Sequence, residues 1–402
     1  MSASSTAATA TATGLPPLTR FMVALMALAT GLVVASNYYA QPLLHTIGQA
    51  FGVSNAAAGT IVTVAQLSYA AGLLLLVPLG DRLERRALIC GMTLVSAAGL
   101  LVTANATSLA MVLLGTAMTG FVSVVAQILV PFAATWAAPE VRGKTVGTIM
   151  SGLLLGILLG RTVAGGLAEI GSWRTVYWVA AALLVIMAAL LWRRLPVNRE
   201  RSTLSYPRLV GSVFTLFVEE PHFRTRALLG ASVFASFSML WTSLTFLLAG
   251  PAYGFSDGTI GLFGLAGAMG AVAAGRFGVF VDRGWGNRST AAALALLVVS
   301  WGVLFAAEHT IAALIAGILI LDLAVQGVHI TNQSAIYRLR PEARSRLTSG
   351  YMTAYFIGGA AGSLASAAAF AHWGWHGVTA IGVALSALTL AYAAASRHAR
   401  IR

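Results

Sequence analysis

Charge is scarce in this chain. Only 9% of its 402 residues are Asp, Glu, Lys or Arg, while 58% are hydrophobic. A soluble globular chain carries about 25% charge. Water therefore cannot be the solvent for most of this one, and the bilayer must be. Cysteine is scarcer still. Cys90 stands alone, which excludes an intrachain disulfide and a cysteine metal site. Acidic residues number 12 against 25 basic ones, for a net charge of +13. That excess does not point to nucleic acid, because Lys and Arg lie in short loops between apolar runs and form no continuous basic face. Also missing are a Walker loop, a nucleophile elbow and a dinucleotide fingerprint. Their absence speaks against an ATP-driven pump or a membrane enzyme, and no cofactor is expected. The histidines at 45, 222, 309, 372, 376 and 398 are scattered singly near the span ends, so no metal site is read from them. The first nineteen residues lack the basic segment of a secretory signal and read as a disordered cytoplasmic tail.

What the chain does have is a copy of itself, offset by about 202 residues. Phe51-Gly52-Val53-Ser54 returns as Tyr253-Gly254-Phe255-Ser256, and Gly59 as Gly261. Asp81-Arg82 returns as Asp282-Arg283, and Pro139-Glu140-Val141-Arg142 as Pro341-Glu342-Ala343-Arg344. Gly156 and Gly160 return as Gly358 and Gly362, and Trp173-Arg174 as Trp375-His376. Two copies of one hydrophobic unit imply a duplicated membrane bundle, which usually binds its ligand between the halves.

A membrane-spanning helix needs roughly 20 apolar residues. Twelve candidates appear, near 21–43, 57–79, 87–105, 108–131, 145–168, 174–193, 226–248, 258–281, 289–307, 310–336, 348–370 and 375–396. The expected architecture is an all-α membrane protein with twelve transmembrane helices in two pseudo-symmetric six-helix bundles. The bundles occupy 20–194 and 225–396, joined by a cytoplasmic linker at 195–224, with tails at 1–19 and 397–402. Taking the N-terminus as inside, only Arg161 and Arg174 of the 25 basic residues fall outside the inner loops, linker and tails. This alternation is a positive-inside signal that puts both termini in the cytoplasm, and an inner (cytoplasmic) membrane is the expected location.

The second-to-third span loop reads Leu79-Gly80-Asp81-Arg82-Leu83-Glu84-Arg85-Arg86. It resembles the loop signature of the major facilitator superfamily, and Asp282-Arg283-Gly284 is its second-half copy. The fifth span carries Gly152, Gly156 and Gly160, then Arg161 and Ala164-Gly165-Gly166. It resembles that superfamily's antiporter signature, with Arg161 where proline usually stands. Asn37-Tyr38-Tyr39-Ala40-Gln41-Pro42 resembles efflux members of the twelve-span drug:proton antiporter branch. The resemblance implies a cavity lined by spans one, four, seven and ten. It also implies a conformational latch made by Asp81, Arg82, Arg85 and Arg86, partly mirrored by Asp282 and Arg283.

Two ionisable residues stand out inside the spans, Arg161 in span five and Asp322 in span ten. Each costs about 2.5–3.5 kcal/mol at a helix centre. Neither is repeated: Arg161 answers to Ser363 and Asp322 to Gly120. Asp322, Gln326, His329 and Gln333 follow the spacing of one helix face, which should look into the cavity. Asn37, Tyr38, Gln41, Gln66, Gln127, Trp241 and Tyr355 are the further candidate lining residues. Asp322 is the candidate proton-coupling carboxylate, with His329 either a relay or a hydrogen-bonded structural residue. Gly152, Gly156, Gly160 and Gly165, with Gly358 and Gly362, make faces of small residues. They read either as static packing or as a tight pivot between the halves.

The expected function is secondary active transport. A small organic molecule would leave in exchange for protons as the two halves rock about the cavity. The alternative is proton symport or facilitated uptake of a sugar, amino acid or organic anion. A sensor or scaffold lacks an added soluble domain to relay a signal. The partners expected are the substrate, protons and the lipid bilayer, with the protein a monomer.

Overall fold

The computed structural model describes residues 18–138, 140–197, 205–274, 277, 279–280, 283–340 and 343–398. Among these the chain is helical throughout its ordered elements, with no strand. The helices are α1 (Arg20–Ala35), α2 (Leu44–Ala50), α3 (Asn55–Leu75), α4 (Arg85–Ala104), α5 (Leu109–Val122), α6 (Val125–Trp136) and α7 (Arg142–Ile170). They continue as α8 (Trp173–Arg194), α9 (Tyr206–Glu219), α10 (Pro221–Ala249), α11 (Asp257–Ala273), α12 (Gly286–Phe305), α13 (Ile311–Ile336) and α14 (Arg344–His398). Nine helices among the described residues are long and apolar enough to cross a membrane. The longest, α14, folds back at Gly374, whose φ of 60° suits a residue without Cβ. It therefore supplies two spans. With α1 and α11, every expected span has its helix.

The repeat is visible in local detail. Gly52 and Gly254 sit at φ 62° and 61° in the turns before α3 and α11. The next serines, Ser54 and Ser256, accept from the backbone N–H of Ala57 and Thr259. Each thereby satisfies a donor at the start of its helix. Span one departs from expectation. Its helix stops at Ala35, and a 3-10 turn at Gln41–Leu43 follows. Pro42 supplies no backbone N–H and disfavours helical geometry at the residue before it. The broken stretch stays inside protein, with Ser36 Oγ donating to Val33 O at 2.6 Å. Irregular backbone at this depth is tolerated only in such surroundings.

The linker is partly helical. In α9, Leu209, Val213 and Leu216 are buried while Phe214 and Val218 stay exposed. Tyr206 Oη donates to Leu75 O at 2.7 Å and ties the linker to the end of α3.

The glycine ladders need a correction. A Cβ on Gly152, Gly156 or Gly160 would strike Ala27, Gly31 or Ala35 of α1, and one on Gly358 or Gly362 would strike Ala231 or Ala235 of α10. These contacts join helices within one half, so five of the six glycines form no pivot between halves. Only Gly165 touches across, against the Asp257 and Gly258 backbone. Helix spacing marked the small face but not which neighbour fills it.

Cross-half contacts line both flanks. Along one, Ser363 Oγ meets Gly59 O at 3.4 Å and Ser349 Oγ donates to Leu73 O at 2.9 Å. The other flank is closed at the end opposite the chain termini, the far end. There Thr46 Oγ1 reaches Asp257 Oδ1 and Oδ2 at 2.8 and 2.7 Å, and Ser256 donates to Glu169. Thr162 Oγ1 donates to Gly261 O at 2.9 Å, and Thr245 Oγ1 to Gln41 O at 2.6 Å.

Candidate functional site

The centre is built on a row of glycines in α11. Gly261, Gly264, Gly267 and Gly270 recur every third residue, and at about 3.6 residues per turn the row winds about half-way round the helix from first to last. At one end of the row α7 lies against it. A Cβ on Gly261 would sit 2.7 Å from Arg161 O, and one on Gly264 would sit 3.3 Å from Arg161 Cβ. At the other end lies α13. A Cβ on Gly270 would sit 2.6 Å from Leu319 O and 3.1 Å from Asp322 Cβ, and one on Gly267 would strike Asp322 Oδ2. The winding row thus meets α7 at one end and α13 at the other, and brings the helices that carry both intramembrane charges close to α11. The repeat Gly-x-x-Gly-x-x-Gly-x-x-Gly is the sequence signal for this close approach.

Both charged groups are almost fully buried, each 3% exposed. Arg161 Nε donates to Gln41 Oε1 at 2.5 Å, and its Nη1 to Ile157 O at 3.4 Å. The guanidinium carbon lies 4.0 Å from the centre of the Trp241 ring, 4.8 Å from Tyr38 and 5.5 Å from Phe237. Stacking on aromatic faces partly replaces the lost water around a guanidinium. Gln41 can hold Arg161 because Thr245 pins its backbone in the broken part of span one.

Asp322 makes no ion pair with Arg161 among the described residues, and neither of its oxygens has a hydrogen-bond partner. The Trp241 indole faces this carboxylate without closing a hydrogen bond of normal geometry. Its Cζ2 lies 2.8 Å from the place a Cβ on Gly267 would occupy, beside Asp322 Oδ2. Trp241 therefore borders both charges, with the guanidinium over its ring and the carboxylate near its Cζ2 edge. Arg161 Nη2, Gln41 Nε2 and Trp241 Nε1 are also unpartnered. A buried unpartnered polar atom is uncommon and asks for an explanation. Here several converge.

Below this centre, towards the end bearing the termini, α13 carries the polar stripe. Gln326, His329 and Gln333 are half-buried. His329 Nδ1 lies 3.2 Å from Tyr351 Oη, which also accepts from Asn332 Nδ2 at 3.4 Å. Asn332 in turn accepts from Arg226 Nη1 at 3.2 Å. Among the described residues no hydrogen bond joins His329 to Asp322. Tyr355 stacks on Phe234 at 4.0 Å and lies 4.9 Å from the His329 ring. A wall of aromatic side chains from α10 and α14 thus runs from Trp241 to His329. A cavity of about 330 Å³ opens farther down, lined by His222, Arg226, Asn287, Thr331 and Arg338 among others.

Other expected residues go elsewhere. Asn37 does not face the centre. It lines a cavity of about 20 Å³ with Ser36, Thr103, Thr119 and Tyr177, inside the first bundle. The break after Ala35 turns it towards α3, α4 and α5. Gln66 is buried in α3, and Gln127 of α6 meets Tyr69. In the loop after α3, Arg85 Nε donates to Gly80 O at 2.9 Å, and Arg86 lies 4.7 Å from the Trp192 ring. Glu84 accepts from the Arg86 and Ala87 backbone, both at 2.9 Å, and so caps α4. Arg82 and Arg283 are exposed. The Asp81 side chain and the whole of Asp282 lie outside the described residues.

Comparison with known proteins agrees with this architecture. The sequence pattern of the family described as Major Facilitator Superfamily matches residues 26–307. The chain is 60% identical over 369 residues to the uncharacterized transporter YgaY of Escherichia coli O157:H7, covering 92% of this chain and 94% of that one. It is 33% identical over 365 residues to the probable transporter SCO4007 of Streptomyces coelicolor, covering 90% and 84%. Among solved structures it resembles a bacterial homolog of the human lysosomal transporter Spinster, in an inward-facing and unoccupied conformation. The TM-score there is 0.78 at 16% identity, covering 94% of this chain and 96% of that one.

Proposed function

The chain belongs to the major facilitator superfamily, and from that premise we propose that it exports a small organic molecule from the cytoplasm in exchange for protons. The observation that carries this reading is Asp322. It is a buried carboxylate with two unpartnered oxygens, set where helices of both halves converge. Protonation removes its charge. Deprotonation leaves an acceptor that a substrate can fill. Proton and substrate thus compete for one group, and that competition turns rocking of the halves into exchange. Arg161 sits on the same glycine row without an ion pair, so it stays free to meet the substrate.

In this reading the protein is a multi-pass inner-membrane monomer with both termini cytoplasmic, since the site is complete within one chain. The halves are 20–194 and 225–396, with 195–224 as linker. His329 relays protons between Asp322 and the cytoplasmic cavity through the stripe Gln326–His329–Gln333. Asp81, Arg82, Arg85 and Arg86, with Asp282 and Arg283, form the latch that releases when the cytoplasmic side opens.

The test uses proteoliposomes of known orientation with an internal pH dye. Lipophilic cations, sugars, amino acids and organic acids are supplied in turn. The expected result is proton movement opposite to substrate flow, lost in Asp322→Asn. Retention of full coupling in that variant would sink the assignment of Asp322. The free Arg161 Nη2 favours one second reading, symport of an organic anion with a proton. Proton movement in the same direction as the substrate would establish it.

A further inference from the structure

The Trp241 cluster holds two opposite charges that are buried together and do not pair. Arg161 is fixed by Gln41 and by its stack on Trp241, and offers Nη2. Asp322, beside the same Trp241, offers both oxygens. Each charge alone would be costly in such surroundings, and only a partner with filled hydrogen bonds offsets that cost. The partner must meet both charges at once.

Three charge classes of substrate can be compared. A bare cation satisfies Asp322 but meets the guanidinium of Arg161 at short range in a low dielectric, where like charges repel strongly. A bare anion satisfies Arg161 but faces the Asp322 carboxylate unless Asp322 is protonated. It would then travel with the proton and not against it. A molecule carrying both charges satisfies each group and leaves the site neutral. It also displaces the proton from Asp322, as exchange requires. A Cβ on Gly267 would strike Asp322 and the Trp241 ring, so its absence lets α11 pack directly against both, and Tyr38, Phe237 and Trp241 supply aromatic surface around Arg161.

We infer that the transported compound is a small zwitterion with an apolar or aromatic body, its ammonium group placed on Asp322 and its acid group on Arg161. This rests on the proton-exchange reading above and adds to it the substrate class.

The test needs no prior substrate. Purified protein in nanodiscs is heated with each of the apolar and aromatic amino acids. The same is done with the methyl ester and the N-acetyl form of every one that shifts the melting midpoint. The expected result is a rise with at least one amino acid, lost when either charge is blocked. Arg161→Gln and Asp322→Asn should each weaken the apparent affinity at least about tenfold, the scale of one charge-assisted hydrogen bond. Equal stabilisation by the ester would make the substrate a cation, and by the N-acetyl form an anion. Either result, or no shift with any amino acid, overturns the inference. These arms use wild-type protein and so survive a variant that fails to fold. Proteoliposomes separate this inference from the reading beneath it. A stabilising amino acid that crosses without proton movement removes proton exchange and leaves the zwitterion site. Proton exchange driven only by an ester or N-acetyl compound does the reverse.

Discussion

The two halves of the molecule repeat their packing and differ in their chemistry. In the first, Gly152, Gly156 and Gly160 let α7 lie against Ala27, Gly31 and Ala35 of α1. In the second, Gly358 and Gly362 let α14 lie against Ala231 and Ala235 of α10. These are the same contact made twice. The charged centre is made once. Where the first half has Arg161, the second has Ser363, which accepts from Thr242 at 3.0 Å and meets Gly59 O at 3.4 Å. Where the second half has Asp322, the first has Gly120, closed against Ala65 O, which a Cβ would approach to 2.9 Å. Positions kept at the repeat offset hold helices together. Positions that broke from it hold unpaired charge. The lesson is that asymmetry inside a symmetric scaffold marks the site.

The strongest way to break this comparison is to overfill a shared position. Gly156→Leu or Gly358→Leu pushes a side chain into a neighbouring backbone, which cannot give way as a side-chain tip can. Overpacking costs about 1–3 kcal/mol even where neighbours move, against a total stability of about 5–15 kcal/mol. Both variants should lose the monodisperse peak in size-exclusion chromatography. Gly166→Ala, on the same helix with nothing within 4 Å, should leave it unchanged. A well-folded Gly156→Leu protein would show that the ladder does not hold the bundle.

The next largest effect is on transport and not on folding. Arg161→Ser gives the first half the residue its twin already carries. It removes a buried charge that has no ion-pair partner together with its hydrogen bond to Gln41, two changes of opposite sign, so the melting midpoint should move by only a few degrees. Substrate-driven proton flux should fall about 100-fold or more, the scale of a lost charged contact in a dry site. Melting far below wild type would make Arg161 a structural residue.

Much of this was legible in the residues, for physical reasons. Spans follow from hydropathy, because the bilayer leaves the chain no other way to satisfy its backbone. The repeat, the ladders and the two unrepeated charges follow from spacing along one helix. Partners across helices do not. The small face on α7 could not be assigned to α1 before the packing was seen. The turn of Asn37 into the first bundle depends on a helix break that hydropathy cannot register. That Arg161 and Asp322 both border the Trp241 ring without closing an ion pair is a matter of ångströms that no spacing rule resolves.

A smaller effect is expected at the far end, which the repeat also leaves asymmetric. Asp257 answers to Asn55, and Thr46 to Leu248. Only Asp257 is bonded across the halves, through both oxygens. Thr46→Val removes that donor and leaves the carboxylate short of partners, at about 1–3 kcal/mol. Residues 44–50 and 257–262 should exchange amide hydrogens faster, by up to about a hundredfold. Unchanged exchange there would mean that Thr46 does not hold the far end shut.

The smallest effect is the pH dependence of the same contact, and its sign follows from the surroundings of Asp257. Burial pushes its carboxyl above the ordinary carboxylate value, Thr46 and His45 pull it back, and Glu169 pushes it up again. Opening the far end to water returns it to about 3.9. Between the ordinary and the raised value the closed form therefore binds more protons than the open one. The contribution of Asp257 to closure is full below the ordinary value and declines as pH rises through the raised one. After correction for intrinsic rates, exchange in 257–262 should quicken with rising pH in the wild type more than in Asp257→Asn. That variant keeps a side-chain oxygen for Thr46 and loses the titration. Parallel curves for the two proteins would show that Asp257 does not carry the dependence.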